Sequence, residues 1–129
     1  LWPDDSATAH AQEIDSYFAG DFPRGAWVTL LAVDTTGRTL GFAEASTRSH
    51  AEGCESTNVG YLEGWFVAAS ARQRGVGRAL VQAAENWARE RGCTEFASDA
   101  EPDNQASCSA HLALGFENAG LVRCFRKAL

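Results

Sequence analysis

The segment best suited to bind an anion is residues 72–77, with the sequence RQRGVG. It precedes a stretch of helical periodicity, so its backbone N–H groups would point outward at the positive end of a helix dipole. Its glycines let an anion approach closely, and Arg72, Arg74 and Arg78 add positive charge. The segment lacks the Gly-Lys-Ser/Thr ending of a Walker loop and is not a GxGxxG motif. We therefore expect a phosphate or pyrophosphate site, with a tight, solvated basic turn as the structural alternative.

Three polar residues occupy positions that suit either a structural or a functional role. Glu63 is the one carboxylate in an apolar run, where an unpaired charge is costly to bury, so a structural ion pair is one explanation. Asp99 follows an apolar segment, at the position where open α/β sheets bind ligands, although it could also be a turn residue. Asn104 begins a helical pattern and would serve either as its N-cap or as a ligand-binding residue.

The elements that must position these residues follow from periodicity and turn residues. The pattern predicts a helix over residues 6–19, paired strands at 27–33 and 39–47, a loop at 48–58, a strand at 60–68, a helix at 77–91, a strand at 94–98, a helix at 104–114 and a strand at 121–127. This order predicts an α/β (α+β) fold with a mixed sheet and helices on its faces. No linker interrupts it, and 129 residues suit a single domain over residues 1–129.

Composition restricts the class of partner. The formal net charge of −6 disfavours nucleic acid and favours a cationic small molecule. No apolar run is long enough to cross a membrane, and the first residues lack the basic start of a signal peptide, so we expect a soluble, cytoplasmic protein. The four cysteines show no CxxC pair and no metal-ligand spacing, so we expect reduced thiols and no metal.

The loop at residues 72–77, placed after a strand, resembles motif A of the GNAT acetyltransferase superfamily. The surrounding residues resemble the aminoglycoside 6′-N-acetyltransferases over essentially the whole chain. The matching segments are LWP at 1–3, Arg48, GC at 53–54, YLEGWFV at 61–67, GC at 92–93, ASD at 97–99, Asn104, His111, LGF at 114–116 and FRK at 125–127. The resemblance implies the GNAT acyl-CoA N-acyltransferase fold, with the strand before the pyrophosphate loop splayed by a bulge.

The resemblance also implies a function: acetyl transfer from acetyl-CoA to the 6′-amine of aminoglycoside antibiotics by direct attack in a ternary complex, which confers resistance. A homodimer is implied as well. The residues implied to bind acetyl-CoA are Phe66, Val67, Arg72, Gln73, Arg74, Gly75, Val76, Gly77, Arg78 and Asn104. Asp99 and Glu63 are implied as catalytic residues, Asp99 being the first choice of base, and Glu63, Asp99 and Glu101 as ligands of the aminoglycoside. Such carboxylates would attract a polycation.

Two departures from the family pattern accompany the resemblance. Phe125 stands where many members have a tyrosine that protonates the leaving thiolate. The chain is also short at its N-terminus relative to the family, so we expect the family's first strand to be missing and a sheet edge to lack its partner. Two other functions stay open: an acetyltransferase of this fold acting on a polyamine or a protein N-terminus, and a non-catalytic module that binds CoA or antibiotic.

Overall fold

The structure is a computed structural model that describes the backbone of residues 8–13 and all of residues 25–129. The chain divides into two compact units, residues 1–99 and residues 100–129. The first contains a sheet and a long helix, and the second contains a shorter helix. The single domain over residues 1–129 stays a prediction.

The first unit is built on a mixed five-stranded sheet. Its strands are β1 (Thr8–Glu13), β2 (Trp27–Val33), β3 (Thr39–Arg48), β4 (Val59–Val67) and β5 (Phe96–Ser98), and they lie side by side in chain order. Neighbouring strands are antiparallel except β4 and β5, which are parallel. The predicted mixed sheet is therefore confirmed, and the predicted strands from residue 27 to residue 98 are present.

The strand β1 replaces part of a predicted helix. The helix expected over residues 6–19 is wrong for residues 8–13, which pair antiparallel with β2 and place Ala11 opposite Leu30. The remainder of that prediction lies outside the described residues. The edge of β2 offers a row of backbone hydrogen-bond donors and acceptors to a further strand. Pairing with that edge overrides the weak helix preference of residues 8–13. With β1 on one side and β3 on the other, β2 has two partner strands.

The turn between β2 and β3 is set by Asp34. Its Oδ1 accepts hydrogen bonds from the backbone N–H groups of Thr36 at 2.8 Å and Arg38 at 3.0 Å, and from the Thr36 hydroxyl at 2.6 Å. Gly37 follows with a φ of 85°, a conformation that glycine adopts without strain. The hydrogen bonds from Thr36 and Arg38 lower the pKa of Asp34. The hairpin predicted from this turn is confirmed.

The long helix α1 (Val76–Glu90) packs against β2, β3 and β4. Its buried positions recur at helical spacing: Val76, Leu80, Val81, Ala84, Trp87 and Ala88. The close approach to β4 depends on Gly60, because a Cβ there would lie 2.6 Å from the Ala88 Cβ and 2.7 Å from the Phe96 ring. The predicted helix over residues 77–91 is confirmed to within one residue at each end.

The predicted loop at residues 48–58 is tied to the chain between α1 and β5. The Glu95 carboxylate accepts hydrogen bonds from the backbone N–H groups of Ser56 at 2.8 Å and Glu55 at 3.1 Å, which lower the pKa of Glu95. The Asn58 side chain donates to the Arg91 carbonyl at 3.0 Å. These contacts hold a mostly polar segment in place, together with the burial of Ala51 in a cluster with Val59 and Tyr61.

The second unit contains α2 (Gln105–Ala113). Residues 114–129 form neither helix nor strand, so the strand predicted at residues 121–127 is wrong. The apolar side chains that suggested it, including Leu121, Val122 and Phe125, are exposed. A strand forms where a neighbouring strand supplies hydrogen bonds, and residues 100–129 contain no such neighbour. In the described residues, no helix has the length and apolar character needed to cross a membrane.

Candidate active site

A β-bulge distorts β4 at Glu63. In the pairing with β3, Glu44 lies opposite Gly64 and Ala45 lies opposite Leu62, so Glu63 is the extra residue. On its other side, β4 pairs with β5 only from Gly60 to Leu62, although β4 continues to Val67. The two strands therefore cease to pair at the bulge. This is the distortion that was predicted for the strand before the anion-binding loop.

The loop that follows β4 contains two residues in the left-handed backbone conformation. Gln73 and Gly75 both have positive φ, 63° and 79°, and Gly75 is the residue from which α1 begins. The N-cap residue of α1 is Gly75, which has no side chain to cap the first turn. Turns of this kind combine outward-pointing N–H groups with the positive end of the helix dipole. The binding of pyrophosphate by this segment stays a prediction.

Two contacts fix this loop to the end of β4. The Arg72 Nε donates a hydrogen bond to the Val67 carbonyl at 3.1 Å. Gly77, in the first turn of α1, faces the Trp65 indole so closely that a Cβ there would lie 3.1 Å from Trp65 Cζ2. The start of α1 and the part of β4 beyond the bulge thus lie directly against each other.

Glu63 is held by two residues of β3. Arg48 donates two hydrogen bonds to its carboxylate, from Nε at 2.9 Å and from Nη2 at 2.8 Å, and the Ser46 hydroxyl donates a third at 2.6 Å. The Glu63 side chain is only 10% exposed. The structural ion pair considered from the sequence is therefore present, while a catalytic or substrate-binding role for Glu63 stays a prediction.

Arg48 also contacts an aromatic ring. Its guanidinium carbon lies 3.5 Å from the centre of the Tyr61 ring, in cation–π geometry. Burial opposes the charge of Arg48, but the hydrogen bonds and charge of Glu63 outweigh this effect and raise the pKa of Arg48. Arg48 is consequently a fixed positive charge between the strands.

Tyr61 connects this pair to Asp99. Tyr61 lies opposite Ala97 of β5, two residues before Asp99. The Tyr61 hydroxyl donates a hydrogen bond of 2.5 Å to Asp99 Oδ2. Burial, and then the hydrogen bond and charge of Asp99, raise the pKa of Tyr61, so the phenol keeps its proton and acts as a donor. The structure thus joins Glu63 and Asp99 through Arg48 and Tyr61.

The other predicted residues fall into two groups. Phe66 and Val67 lie on β4 beyond the bulge, with Phe66 49% exposed. Asn104 and Glu101 belong to the second unit, where both are exposed. Asn104 is the N-cap of α2, and its side chain accepts a hydrogen bond from the Ser107 N–H at 3.1 Å. Of the two roles considered for Asn104 from the sequence, the structural one, the N-cap, is therefore present. Their roles toward a cosubstrate or substrate stay predictions.

The sequence analysis did not identify Ser46 and Tyr61 as partners of the two carboxylates. It named Arg48 as part of the family resemblance but did not predict its contact with Glu63. One signal was present for Tyr61. Residues two apart on a strand share a face, so Tyr61 and Glu63 were placed to meet a common partner. The partner itself could not be read from the sequence, because Arg48 comes from another strand.

The sequence of the chain is similar to those of known acetyltransferases. Residues 1–116 match the acetyltransferase (GNAT) family. The chain therefore belongs to the GNAT acetyltransferase family. It is 57% identical over 129 residues to the aminoglycoside N(6′)-acetyltransferase type 1 of Klebsiella aerogenes. The aligned region covers 100% of this chain and 84% of that protein. It is 39% identical over 128 residues to the protein of the same name from Salmonella typhimurium, with 98% of this chain and 85% of that protein covered.

Solved structures show the same similarity. The structure of AAC(6′)-Iy in complex with the bisubstrate analogue CoA-S-monomethyl-acetylneamine has a TM-score of 0.80 and 30% identity, covering 94% of this chain and 99% of that chain. AAC(6′)-Iy in complex with CoA has a TM-score of 0.80 and 29% identity, covering 100% of both chains. The predicted GNAT fold and the resemblance to the aminoglycoside 6′-N-acetyltransferases are confirmed.

Proposed function

We propose that the chain transfers the acetyl group of acetyl-CoA to the 6′-amine of aminoglycoside antibiotics. The observation that carries the proposal is the start of α1, which follows the two positive-φ residues Gln73 and Gly75 and lies against the bulged strand β4. Such a site suits the pyrophosphate of a CoA thioester. Two findings support the choice of acceptor: the relatives named aminoglycoside N(6′)-acetyltransferase type 1, and the similar structure of AAC(6′)-Iy in complex with a bisubstrate analogue of CoA and acetylneamine.

Acetyl-CoA is bound mainly by backbone groups in this proposal. The residues assigned to the pyrophosphate are Arg72, Gln73, Arg74, Gly75, Val76, Gly77 and Arg78. The backbone of Phe66 and Val67 lies beyond the end of the β4–β5 ladder and is assigned to the pantetheine arm and the acetyl carbonyl. Asn104 contributes a further contact to the pantetheine arm. No metal takes part.

Asp99 is the carboxylate best placed to bind the reacting amine. Glu63 shares its negative charge with Arg48, whereas Asp99 receives a hydrogen bond from neutral Tyr61 and keeps its charge uncompensated by that contact. Asp99 is also exposed, as a substrate ligand must be. Glu63 acts at longer range through Arg48, and Glu101 is a further contact for the polycation. The acidic net charge of −6 attracts such a substrate.

The reaction is a direct transfer in a ternary complex. The 6′-ammonium group of the substrate gives one proton to Asp99, directly or through water, and the lone pair of the neutral amine then attacks the thioester carbonyl. A C–N bond forms, the nitrogen loses its second proton to water, the C–S bond breaks, and the CoA thiolate takes a proton. Phe125 cannot supply that proton, so water does. Backbone N–H groups near Val67 stabilise the developing oxyanion.

A homodimer in the cytoplasm completes the proposal. Residues 114–129 expose Leu121, Val122 and Phe125, and a second copy of the chain would cover this apolar surface. The four cysteines form no disulfide, which suits a reducing compartment. The acidic net charge does not favour binding to nucleic acid or to an anionic membrane surface.

The test is thiol release from acetyl-CoA with a panel of aminoglycosides. Compounds with a 6′-amine are paired with compounds that carry a 6′-hydroxyl and are otherwise closely matched. We expect turnover with the 6′-amino members only. Equal turnover with both groups would contradict the regiochemistry. Absence of turnover in a folded protein that binds CoA would favour the non-catalytic module.

A further inference from the structure

The hydrogen bond between Tyr61 and Asp99 lies at the point where the β4–β5 ladder ends. Tyr61 is 8% exposed, and its hydroxyl reaches Asp99 Oδ2 at 2.5 Å. Asp99 comes directly after the last residue of β5, so its backbone has no further strand pairing to restrain it. The Tyr61 phenol is therefore the side chain that fixes one oxygen of an exposed carboxylate.

The Tyr61 ring is itself fixed on its face. Arg48 covers the ring at 3.5 Å and is held by the two hydrogen bonds to Glu63. The phenol therefore has little freedom to turn away from Asp99. With Oδ2 engaged by Tyr61, Oδ1 is the Asp99 oxygen that takes no part in this hydrogen bond.

We infer that Tyr61 is a positioning residue, which holds Asp99 so that its second carboxylate oxygen is directed at the amine to be acetylated. This inference rests on the proposed function, since it assigns Tyr61 a part in the recognition of that amine. Because the pKa of Tyr61 is raised by burial and by Asp99, the phenol stays a donor throughout the working pH range. Arg48 and Glu63 act one step further away, by holding the Tyr61 ring.

The test is Tyr61→Phe, which removes the hydroxyl and leaves the ring beneath Arg48. We expect kcat/KM for a 6′-amino aminoglycoside to fall roughly tenfold or more, since hydrogen bonds to charged groups are among the stronger ones. The Kd of that aminoglycoside, measured by calorimetry, should rise, and the KM of acetyl-CoA should stay within about twofold. The matched control is Thr36→Val, which removes another hydroxyl-to-carboxylate hydrogen bond, of 2.6 Å, in the β2–β3 turn. It should leave all three constants unchanged.

A double-mutant cycle separates positioning from a general loss of structure. If Tyr61 acts through Asp99, Tyr61→Phe should have little further effect in an Asp99→Ala background. An effect as large there as in the wild-type chain would overturn the inference, and so would an unchanged kcat/KM and Kd in Tyr61→Phe. If the wild-type chain binds the aminoglycoside without turnover, the proposed function fails. In that case, the aminoglycoside Kd of Tyr61→Phe, compared with that of the wild-type chain, still tests whether Tyr61 positions Asp99.

Discussion

The carboxylate of Glu63 and the guanidinium of Arg48 are joined by two hydrogen bonds, of 2.8 and 2.9 Å, across neighbouring strands. The bulge in β4 occurs at Glu63, so the residue that is extra to the ladder is also the one that carries the charge. The ion pair is mostly shielded, with 29% of the Arg48 side chain and 10% of the Glu63 side chain exposed. Loss of either partner leaves a charge poorly compensated in a partly buried place.

Substitution of Glu63 should therefore destabilise the fold. For Glu63→Gln we expect the free energy of unfolding to fall by about 2 kcal/mol, because Arg48 loses its counter-charge while it stays covered. Urea denaturation measures this change. The matched control is Glu52→Gln, since Glu52 lies 4.0 Å from His50 and both side chains are more than half exposed. That pair should contribute less than about 0.5 kcal/mol. Equal losses in the two variants would argue against a structural role for the Glu63–Arg48 pair.

Removal of a loop arginine should weaken the cosubstrate specifically. Arg74→Ala takes a positive charge from the loop that opens α1, so we expect a higher KM for acetyl-CoA and little change in aminoglycoside affinity. Steady-state kinetics with each substrate varied in turn measure both effects. Arg89→Ala removes a charge from the last turn of the same helix and should change neither constant. A loss of aminoglycoside affinity alone in Arg74→Ala would refute the placement of the pyrophosphate.

The left-handed conformation of Gly75 should matter beyond its effect on stability. Gly75→Ala places a Cβ at a φ of 79°, which costs about 1–2 kcal/mol and distorts the loop proposed to bind pyrophosphate. We expect lower stability together with a higher KM for acetyl-CoA. Gly37→Ala is the matched control, because Gly37 has a φ of 85° in the β2–β3 turn and open space around it. It should lose similar stability with no change in that KM. A KM that changes equally in both variants would contradict the assignment.

The anchor of the loop at residues 48–58 should depend on pH. Hydrogen bonds from Ser56 and Glu55 lower the pKa of Glu95 in the folded state. Glu95 therefore stabilises the fold at pH values above 4.5, its ordinary pKa. This contribution is lost as the pH falls through the lowered pKa. We expect Glu95→Gln to have a lower Tm than the wild-type chain at pH 7, and the difference to vanish in acid. Glu90→Gln, an exposed change at the end of α1, should show no such convergence. A constant difference for Glu95→Gln would disprove the linkage.

Local patterns predicted the elements whose signals are local. The helix that became α1 and the turn at Asp34 carry their caps, glycines and periodicity within a few residues. The predictions at residues 8–13 and 121–127 were wrong because the state of those residues depends on whether a partner strand is available. Local pattern does not contain that information.

The turn before α1 was predictable from its glycines, whereas the surroundings of the carboxylates were predictable only in part. Glu63 and Asp99 stood out as charges beside apolar strands. Their partners, Arg48 and Tyr61, lie 15 and 38 residues away along the chain. Which side chains meet at such distances depends on strand register, and here also on a bulge that shifts the register by one residue.

The bulge also sets what a deletion in β4 would do. Cross-strand partners share a face of the sheet, so a strand without Glu63 would keep Gly64 opposite Glu44 and Trp65 opposite Ala43. The deletion would instead remove the carboxylate that holds Arg48 and the irregularity at which β4 and β5 cease to pair. Between residues 63 and 77, changes of length would also disturb the Arg72–Val67 hydrogen bond and the packing of Gly77 on Trp65, so they should be harmful there. Exchange of this loop between relatives by protein engineering has to preserve that length.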